Sequence, residues 1–297
     1  MPFPLPFAAV AAPAPALSSL EACWRAAVLG VIQGLTEFLP ISSTAHLKVV
    51  PVILGWGDPG VAVTAVIQLG SILAVLGYFR SDLAMVIRAV ARACREGHWG
   101  DPSARLGLAI ALGTLPIVLA GLGIKLWWPG FEASPLRSLP SIAVVSIVMA
   151  LLLALAELLG RRLRRFDDVQ LRDGLLVGLA QALAIVPGVS RSGSTLTASL
   201  FDGWQRPAAA RFSFLLGIPA IVLAGLVELK DALRQPAGGG PLAMLVGVAV
   251  AAVVSWLAIA WLLRFLQRHS TWVFVIYRLA FGVAILLWWR GNGAGAL

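Results

Sequence analysis

Six apolar runs, at about residues 61–79, 105–128, 140–159, 211–229, 241–263 and 271–289, restrict what this chain can fold into. Each is near the ~20 residues a helix needs to cross the hydrocarbon of a bilayer. Hydrocarbon offers backbone groups no partner, so such a run must be a helix, which satisfies its own N–H and C=O groups. Composition agrees: 59% of the 297 residues are hydrophobic and 12% are charged, with a mean hydropathy of +0.90. The chain reads as an all-α polytopic membrane protein. Its net charge of +9 lies mostly in short loops between the runs, where basic residues signal topology rather than nucleic-acid binding. Cys23 and Cys94 stand alone, without metal-ligand spacing, and read as unpaired. Residues 1–21 are Pro/Ala-rich and lack a basic n-region, so they read as a flexible lead-in rather than a cleaved signal peptide. Residues 22–297 then form a single integral-membrane domain.

Two further apolar stretches, about 22–55 and 174–203, are each broken by proline and followed by serine-rich sequence. Each half is too short to cross, so both read as re-entrant helical hairpins, a shape tolerated where it is buried in protein or lines a cavity. The two match weakly. Gly30-x-x-Gln33 aligns with Gly178-x-x-Gln181 and Ser42-Ser43 with Ser190-Arg191, while Pro40 and Pro187 fall one position out of register. A hairpin and three spans, repeated, give halves at about 22–159 and 174–290. A hairpin returns to its own side and three spans do not, so the second half should be inverted, with the site where the repeats meet.

Charge sets the expected orientation. Arg80, Arg88, Arg92, Arg95 and Arg105 lie in a loop at 80–105, and Arg161, Arg162, Arg164, Arg165 and Arg172 in a loop at 160–173. With Arg206, Arg211, Arg264 and Arg268 they make fourteen basic residues on one side, against Arg137, Lys230, Arg234 and Arg290 on the other. The richer side should be cytoplasmic, with the first hairpin entering from the outer face and the second from the cytoplasm. Trp127, Trp128, Trp288 and Trp289 then fall at the outer interface.

The polar residues inside these apolar stretches are the candidate site. Gln33 to His46 reads QGLTEFLPISSTAH and puts a carboxylate, hydroxyls and an imidazole where such groups are costly without a partner or cavity. Gln33 and Glu37 share a helix face, Pro40 ends that helix, and Ser42 or Ser43 can cap the next, whose dipole end favours an anion. Ser43 and His46 are three apart and share a face, which suggests phosphoryl chemistry. In the second hairpin Ser190 can cap and Arg191 lands in the first turn, placing a guanidinium suited to bidentate phosphate recognition. Meeting hairpins would join Glu37, Ser43 and His46 to Ser190, Arg191 and Ser192. Ser42, Thr44, Ser192 and Ser194 read equally as helix caps or ligands, and Gln68 and Ser71 as interhelical contacts or pocket lining. Arg278, in mid-span, needs a partner or cavity and reads as a secondary phosphate or structural contact. Glu157 and Glu228 lie near span ends, where solvation is easy.

EFLPISSTAH (Glu37–His46) with PGVSRSGST (Pro187–Thr195) resembles the undecaprenyl-diphosphate phosphatase family, whose members confer bacitracin resistance. Val66–Leu73, Phe212–Leu216 and Ile276–Arg278 fit too, and the likeness covers nearly everything after residue 22. It implies hydrolysis of a C55 polyprenyl diphosphate to the monophosphate at the outer face of the bacterial inner membrane. It also implies a divalent cation, Mg²⁺ or Ca²⁺. The family's first motif has Glu or Gln, three residues, then Glu; here it takes the glutamine form, leaving Glu37 as the one carboxylate and the candidate metal ligand. Ala45 stands where glycine is common.

Together these readings make Ser43 the first-choice nucleophile, His46 its base, and Glu37 the residue that orients His46 or holds the cation. A phosphohistidine at His46 or a metal-bound water are the alternatives. Arg191 and the two helix starts would bind the diphosphate, with Gln33, Ser42, Thr44, Ser190, Ser192, Gly193 and Arg278 as further candidate contacts. Partners would be the lipid substrate, membrane lipids and, as a candidate, a second copy of the chain. The rival reading is a secondary transporter or lipid flippase on the same inverted repeat, which would need no nucleophile.

Overall fold

The computed structural model describes residues 18–131, 134–232 and 240–292. Most of the proposed lead-in, and Arg234, lie outside the described residues. Eleven α-helices account for the described fold: α1 Ser19–Phe38, α2 Ser43–Ile53, α3 Gly60–Tyr78, α4 Arg80–Glu96, α5 Pro102–Trp127 and α6 Leu139–Leu159, then α7 Leu171–Ala182, α8 Arg191–Phe201, α9 Arg206–Ala232, α10 Gly240–Arg268 and α11 Trp272–Asn292. Six of them, α3, α5, α6, α9, α10 and α11, are long and apolar enough to cross a membrane. They coincide with the six apolar runs, and the protein is a multi-pass membrane protein.

The two proline-broken stretches are helix pairs, α1–α2 and α7–α8. Helix α1 starts earlier than its apolar pattern, because Ser18 accepts a cap bond from the Glu21 N–H at 3.2 Å. It ends at Phe38, and the backbone of Leu39 is extended (φ −70°, ψ 144°) ahead of Pro40, which has no N–H to continue the ladder. In the second pair a short 3-10 turn at Leu183–Ile185 follows α7, and Pro187-Gly188 completes the break.

Residues 80–96, expected as loop, are instead the amphipathic helix α4. Val86, Ala89 and Ala93 are buried on one side, whereas Arg88, Arg92 and Arg95 are exposed, and Gly97 closes the helix in the left-handed conformation with φ 70°. Arg88, Arg92 and Arg95 recur at helical spacing opposite Val86, Ala89 and Ala93, so the helical period is present in the sequence and the loop reading takes the arginines as a topology signal alone.

Two close helix contacts position the broken pairs. Helix α1 lies on α10, where a Cβ added to Gly30 would sit 2.6 Å from the Gly247 carbonyl oxygen and one on Gly34 would strike Val254. Helix α7 lies on α5 in the same way, with Gly174 against the Ala109 carbonyl and Gly178 against the Gly113 carbonyl. Small residues every four positions let backbones approach this closely in lipid, where dispersion rather than hydrophobicity holds helices together. Helices α3 and α9, and α6 and α11, also pack pairwise. Each contact joins an element of the first half to one of the second.

Ion pairs tie down the arginine-rich end. Glu157, expected to be solvated, is 2% exposed and accepts from Arg206, Arg162 and the Thr271 hydroxyl. Arg164 joins Asp173 of α7 and Asp202 after α8, and those bonds to Asp173, more than the neighbouring charges, raise its pKa. A buried carboxylate is stable only with such partners. That requirement explains why Glu157 draws in groups from three separate segments.

Candidate active site

Ser42 and Ser190, the residues just before α2 and α8, adopt nearly one backbone conformation: φ 76°, ψ 99° and φ 70°, ψ 114°. Positive φ is uncommon outside glycine and costs on the order of 1–3 kcal/mol, so it persists only where the surroundings enforce it. The Ser42–Ser190 match found by sequence alignment is therefore a match of geometry. Arg278 of α11 supplies part of the enforcement. Its guanidinium is buried and donates to the carbonyls of Pro40 at 3.2 Å, Gly188 at 2.7 Å and Val189 at 3.1 Å. One cation thus satisfies carbonyls left unpaired in both breaks. Gly193 leaves room for it, since a Cβ there would lie 2.7 Å from Arg278 Nη1. Arg278 does not line the site cavity, so its place is behind the two breaks, where it holds them together.

The turn at Ser42 carries α2 back along α1 and sets Ser43 against Glu37. The Ser43 hydroxyl donates to Glu37 Oε2 at 2.7 Å, and Gln33 Nε2 donates to the same oxygen at 3.1 Å. Glu37 Oε1 accepts from Arg191 Nη2 at 3.1 Å, and Arg191 Nη1 donates to the Gly217 carbonyl at 2.7 Å. The carboxylate therefore sits between a hydroxyl and a guanidinium drawn from the two different breaks. Gln33 is held in turn by Ser71, 3.3 Å away, which meets Ser255 at 2.8 Å. Ser192 fastens the breaks together by donating to the Leu39 carbonyl at 2.9 Å. Ser190 caps α8 through the Gly193 N–H at 3.1 Å.

The structure does not form the expected Ser43–His46 pair. His46 Nδ1 is 2.7 Å from the Ser42 carbonyl and Nε2 is 2.7 Å from the Tyr277 hydroxyl. A carbonyl only accepts, so Nδ1 carries a proton, and in the neutral ring Nε2 accepts from Tyr277. The imidazole also stacks on Phe281, with ring centres 4.1 Å apart and planes 8° from parallel. The aromatic face of α11 thus draws His46 away from the side of α2 on which Ser43 meets α1. Spacing by three gave a shared face but not the direction each side chain takes from it.

A cavity of about 180 Å³ opens at the centre of this arrangement. Glu37, Ser42, Ser43 and Thr44 line it from the first pair, Gly188, Ser190 and Arg191 from the second, and Gln68 from α3. Its remaining wall is apolar, with Ile117, Ala184, Val186, Ala220, Ile221 and Ala224. Gln33, His46, Ser192 and Gly193 stand outside the lining and act on those that line it. Gly217 was missed by sequence reasoning: a Cβ there would come within 2.8 Å of Arg191 Nη1, so its bare backbone is the seat of the guanidinium. Tyr277 falls in the Ile276–Arg278 stretch that carries part of the resemblance, but no local pattern ties it to His46, 231 positions away.

The model of the bacitracin resistance protein family BacA matches residues 26–284. Proteins named undecaprenyl-diphosphatase are similar along nearly the whole chain. The one from Synechococcus sp. (strain RCC307) is 74% identical, over 91% of this chain and 94% of its own length. That of Synechococcus sp. (strain WH7803) is 72% identical, covering 93% and 96%, and that of Prochlorococcus marinus (strain MIT 9313) is 72% identical, covering 91% and 90%. Two broken helices that share a buried arginine, a serine on a carboxylate, and a match over most of the sequence lead to one conclusion: the chain belongs to the bacitracin resistance protein family, BacA.

Proposed function

We propose that this chain removes the terminal phosphate of undecaprenyl diphosphate, giving undecaprenyl phosphate and inorganic phosphate. The observation that carries this reading is the hydroxyl–carboxylate–guanidinium array of Ser43, Glu37 and Arg191. The Ser43 oxygen attacks the terminal phosphorus, its proton passes to Glu37 Oε2, and the anhydride P–O bond breaks to release undecaprenyl phosphate. Water then hydrolyses the phosphoserine, with Glu37 returning the proton. Arg191 neutralises charge on the transferring group, which is most of what phosphoryl transfer requires. His46 braces the strained Ser42 backbone. The apolar wall of the cavity receives the first units of the prenyl chain, a contact that a transporter reading does not need a serine to explain.

We also place a divalent cation, Mg²⁺ or Ca²⁺, at Glu37. No cluster of three His, Cys, Asp or Glu residues occurs among the described residues. The fit is to a hard cation held by one carboxylate and substrate phosphates, as Mg²⁺ commonly is. Gln33 Oε1, buried without a partner beside Glu37, is a further oxygen donor. The cation would supply charge neutralisation for the diphosphate.

Both broken pairs fit re-entrant hairpins entering from opposite faces of the bacterial inner membrane, with the cavity opening to the periplasm. The excess of basic residues at the end that holds residues 80–105 and 160–173 supports that orientation. Two experiments test these readings. Purified protein in detergent should release phosphate from undecaprenyl diphosphate with Mg²⁺ or Ca²⁺, lose activity to a chelator, and lose more than about a thousandfold in kcat in Ser43→Ala, roughly 4 kcal/mol of barrier. A serine variant within tenfold of wild type removes Ser43 as nucleophile. In whole cells carrying Cys23→Ala and Gly130→Cys, an impermeant thiol reagent should label position 130 and spare the exposed Cys94; the reverse pattern inverts the orientation.

A further inference from the structure

A second, larger cavity of about 620 Å³ lies at the arginine-rich end of the bundle. Tyr78 and Phe79 at the end of α3, Asp82 of α4, the segment Arg165–Asp167, the start of α9, and Leu263 to Gln267 of α10 surround it. Its residues on α9 lie about twelve positions from those of the catalytic cavity, so about 18 Å separates the two along that helix. The mechanism uses none of them.

Three arginines line this cavity. Arg211 is paired with Asp82 and stands over the Phe166 ring, 4.5 Å from its centre. Arg165 and Arg264 are exposed and have no carboxylate partner among the described residues, although Asp167 lines the same cavity. The balance of three cations and two carboxylates leaves one uncompensated positive charge. The first turns of α4 and α9 also open here, and their N–H groups have no partner within the helix. Phe79, Phe166 and Leu263 line the same cavity, with Phe79 buried and Phe166 under the Arg211 guanidinium. Cationic and apolar side chains in one cavity, where three spanning helices end, suit an amphiphile with an anionic head at headgroup depth. Helix α4 begins at the cavity and leads away from it with Arg88, Arg92 and Arg95 exposed beside Met85 and Ile87, the pattern of a helix lying in an anionic interface.

We propose that this cavity is a binding site for the phosphodiester headgroup of an anionic phospholipid, held by Arg165 and Arg264 with Arg211 behind them. The site is separate from the phosphatase centre and shares no lining residue with it.

The test titrates short-chain phosphatidylglycerol, phosphatidylcholine or inorganic phosphate into the purified full-length protein in detergent, reading the thermal midpoint. Phosphatidylglycerol should raise the midpoint saturably by several degrees, and the other two should not. The Arg165→Gln/Arg264→Gln variant should lose that shift while hydrolysing substrate at the wild-type rate in detergent. Gln267→Glu, which adds a negative charge to the rim without removing a contact, should weaken phosphatidylglycerol at least tenfold. An equal shift with phosphatidylcholine, or with phosphate, overturns the proposed occupant. A shift retained in the double variant places binding elsewhere, such as on α4, and overturns the site.

Discussion

The two breaks share a backbone and divide the chemistry. Each ends a helix near a proline, passes through a serine at positive φ, and starts a new helix whose first residue faces the cavity. In the first break that residue is Ser43; in the second it is Arg191. In the proposed mechanism the first break therefore presents the attacking oxygen, and Glu37, which accepts from the Ser43 hydroxyl within the same helix pair, takes the proton. The second presents a fixed positive charge, seated on the Gly217 carbonyl and paired to the same Glu37. One backbone shape, used twice, supplies in that mechanism a reacting group at Ser43 and a clamp at Arg191. Glu37 is where the halves are coupled, since its two oxygens serve one break each.

This division can be tested by how variants split between kcat and KM. Glu37→Gln should be the most damaging, because it removes the acceptor for the Ser43 proton and the counter-charge for Arg191 together. We expect kcat to fall more than about a thousandfold, about 4 kcal/mol, in steady-state phosphate release. A loss confined to KM would place Glu37 with the clamp alone. Next, Arg191→Lys keeps the charge but not the fork. It should lower kcat/KM by about a hundredfold, roughly 2.7 kcal/mol, with a larger share in KM than Glu37→Gln shows. Near-normal kinetics would mean that a point charge suffices. The mildest is Gly217→Ala, whose methyl would displace the guanidinium without removing it. About tenfold in KM with kcat nearly intact is expected, and an unchanged KM would show that Arg191 does not need its seat.

How much of this was legible in the sequence depended on the range of the interaction. The six spans are set by length and hydropathy, properties of a contiguous stretch, and appear where the apolar runs are. Glu37, Ser43 and Arg191 stand out against an apolar background and line the cavity together, whereas His46, equally conspicuous in the sequence, lies outside the lining. Who pairs with whom was not legible. Spacing put Ser43 beside His46, yet the turn at Ser42 gives Ser43 to Glu37 and the aromatic face of α11 takes His46. Arg278 satisfies carbonyls 90 and 238 positions away, which no local pattern encodes. The sequence of α4 reads as a loop only when its arginines are taken as a topology signal; Val86, Ala89 and Ala93 opposite Arg88, Arg92 and Arg95 carry the helical period.

The close seating of α1 on α10 also bears on how the protein is made. Helix α1 emerges first, but the residues on which Gly30 and Gly34 rest, Gly247 and Val254, are more than two hundred positions later. At about 5–20 residues per second, a ribosome takes roughly 10–45 s to supply them. During that interval Gln33 and Glu37 have neither Ser255 behind them nor Arg191 beside them for much of the time. The first broken pair is thus a provisional structure throughout synthesis, completed only when the last two helices arrive, α10 to seat α1 and α11 to bring Arg278 and Tyr277.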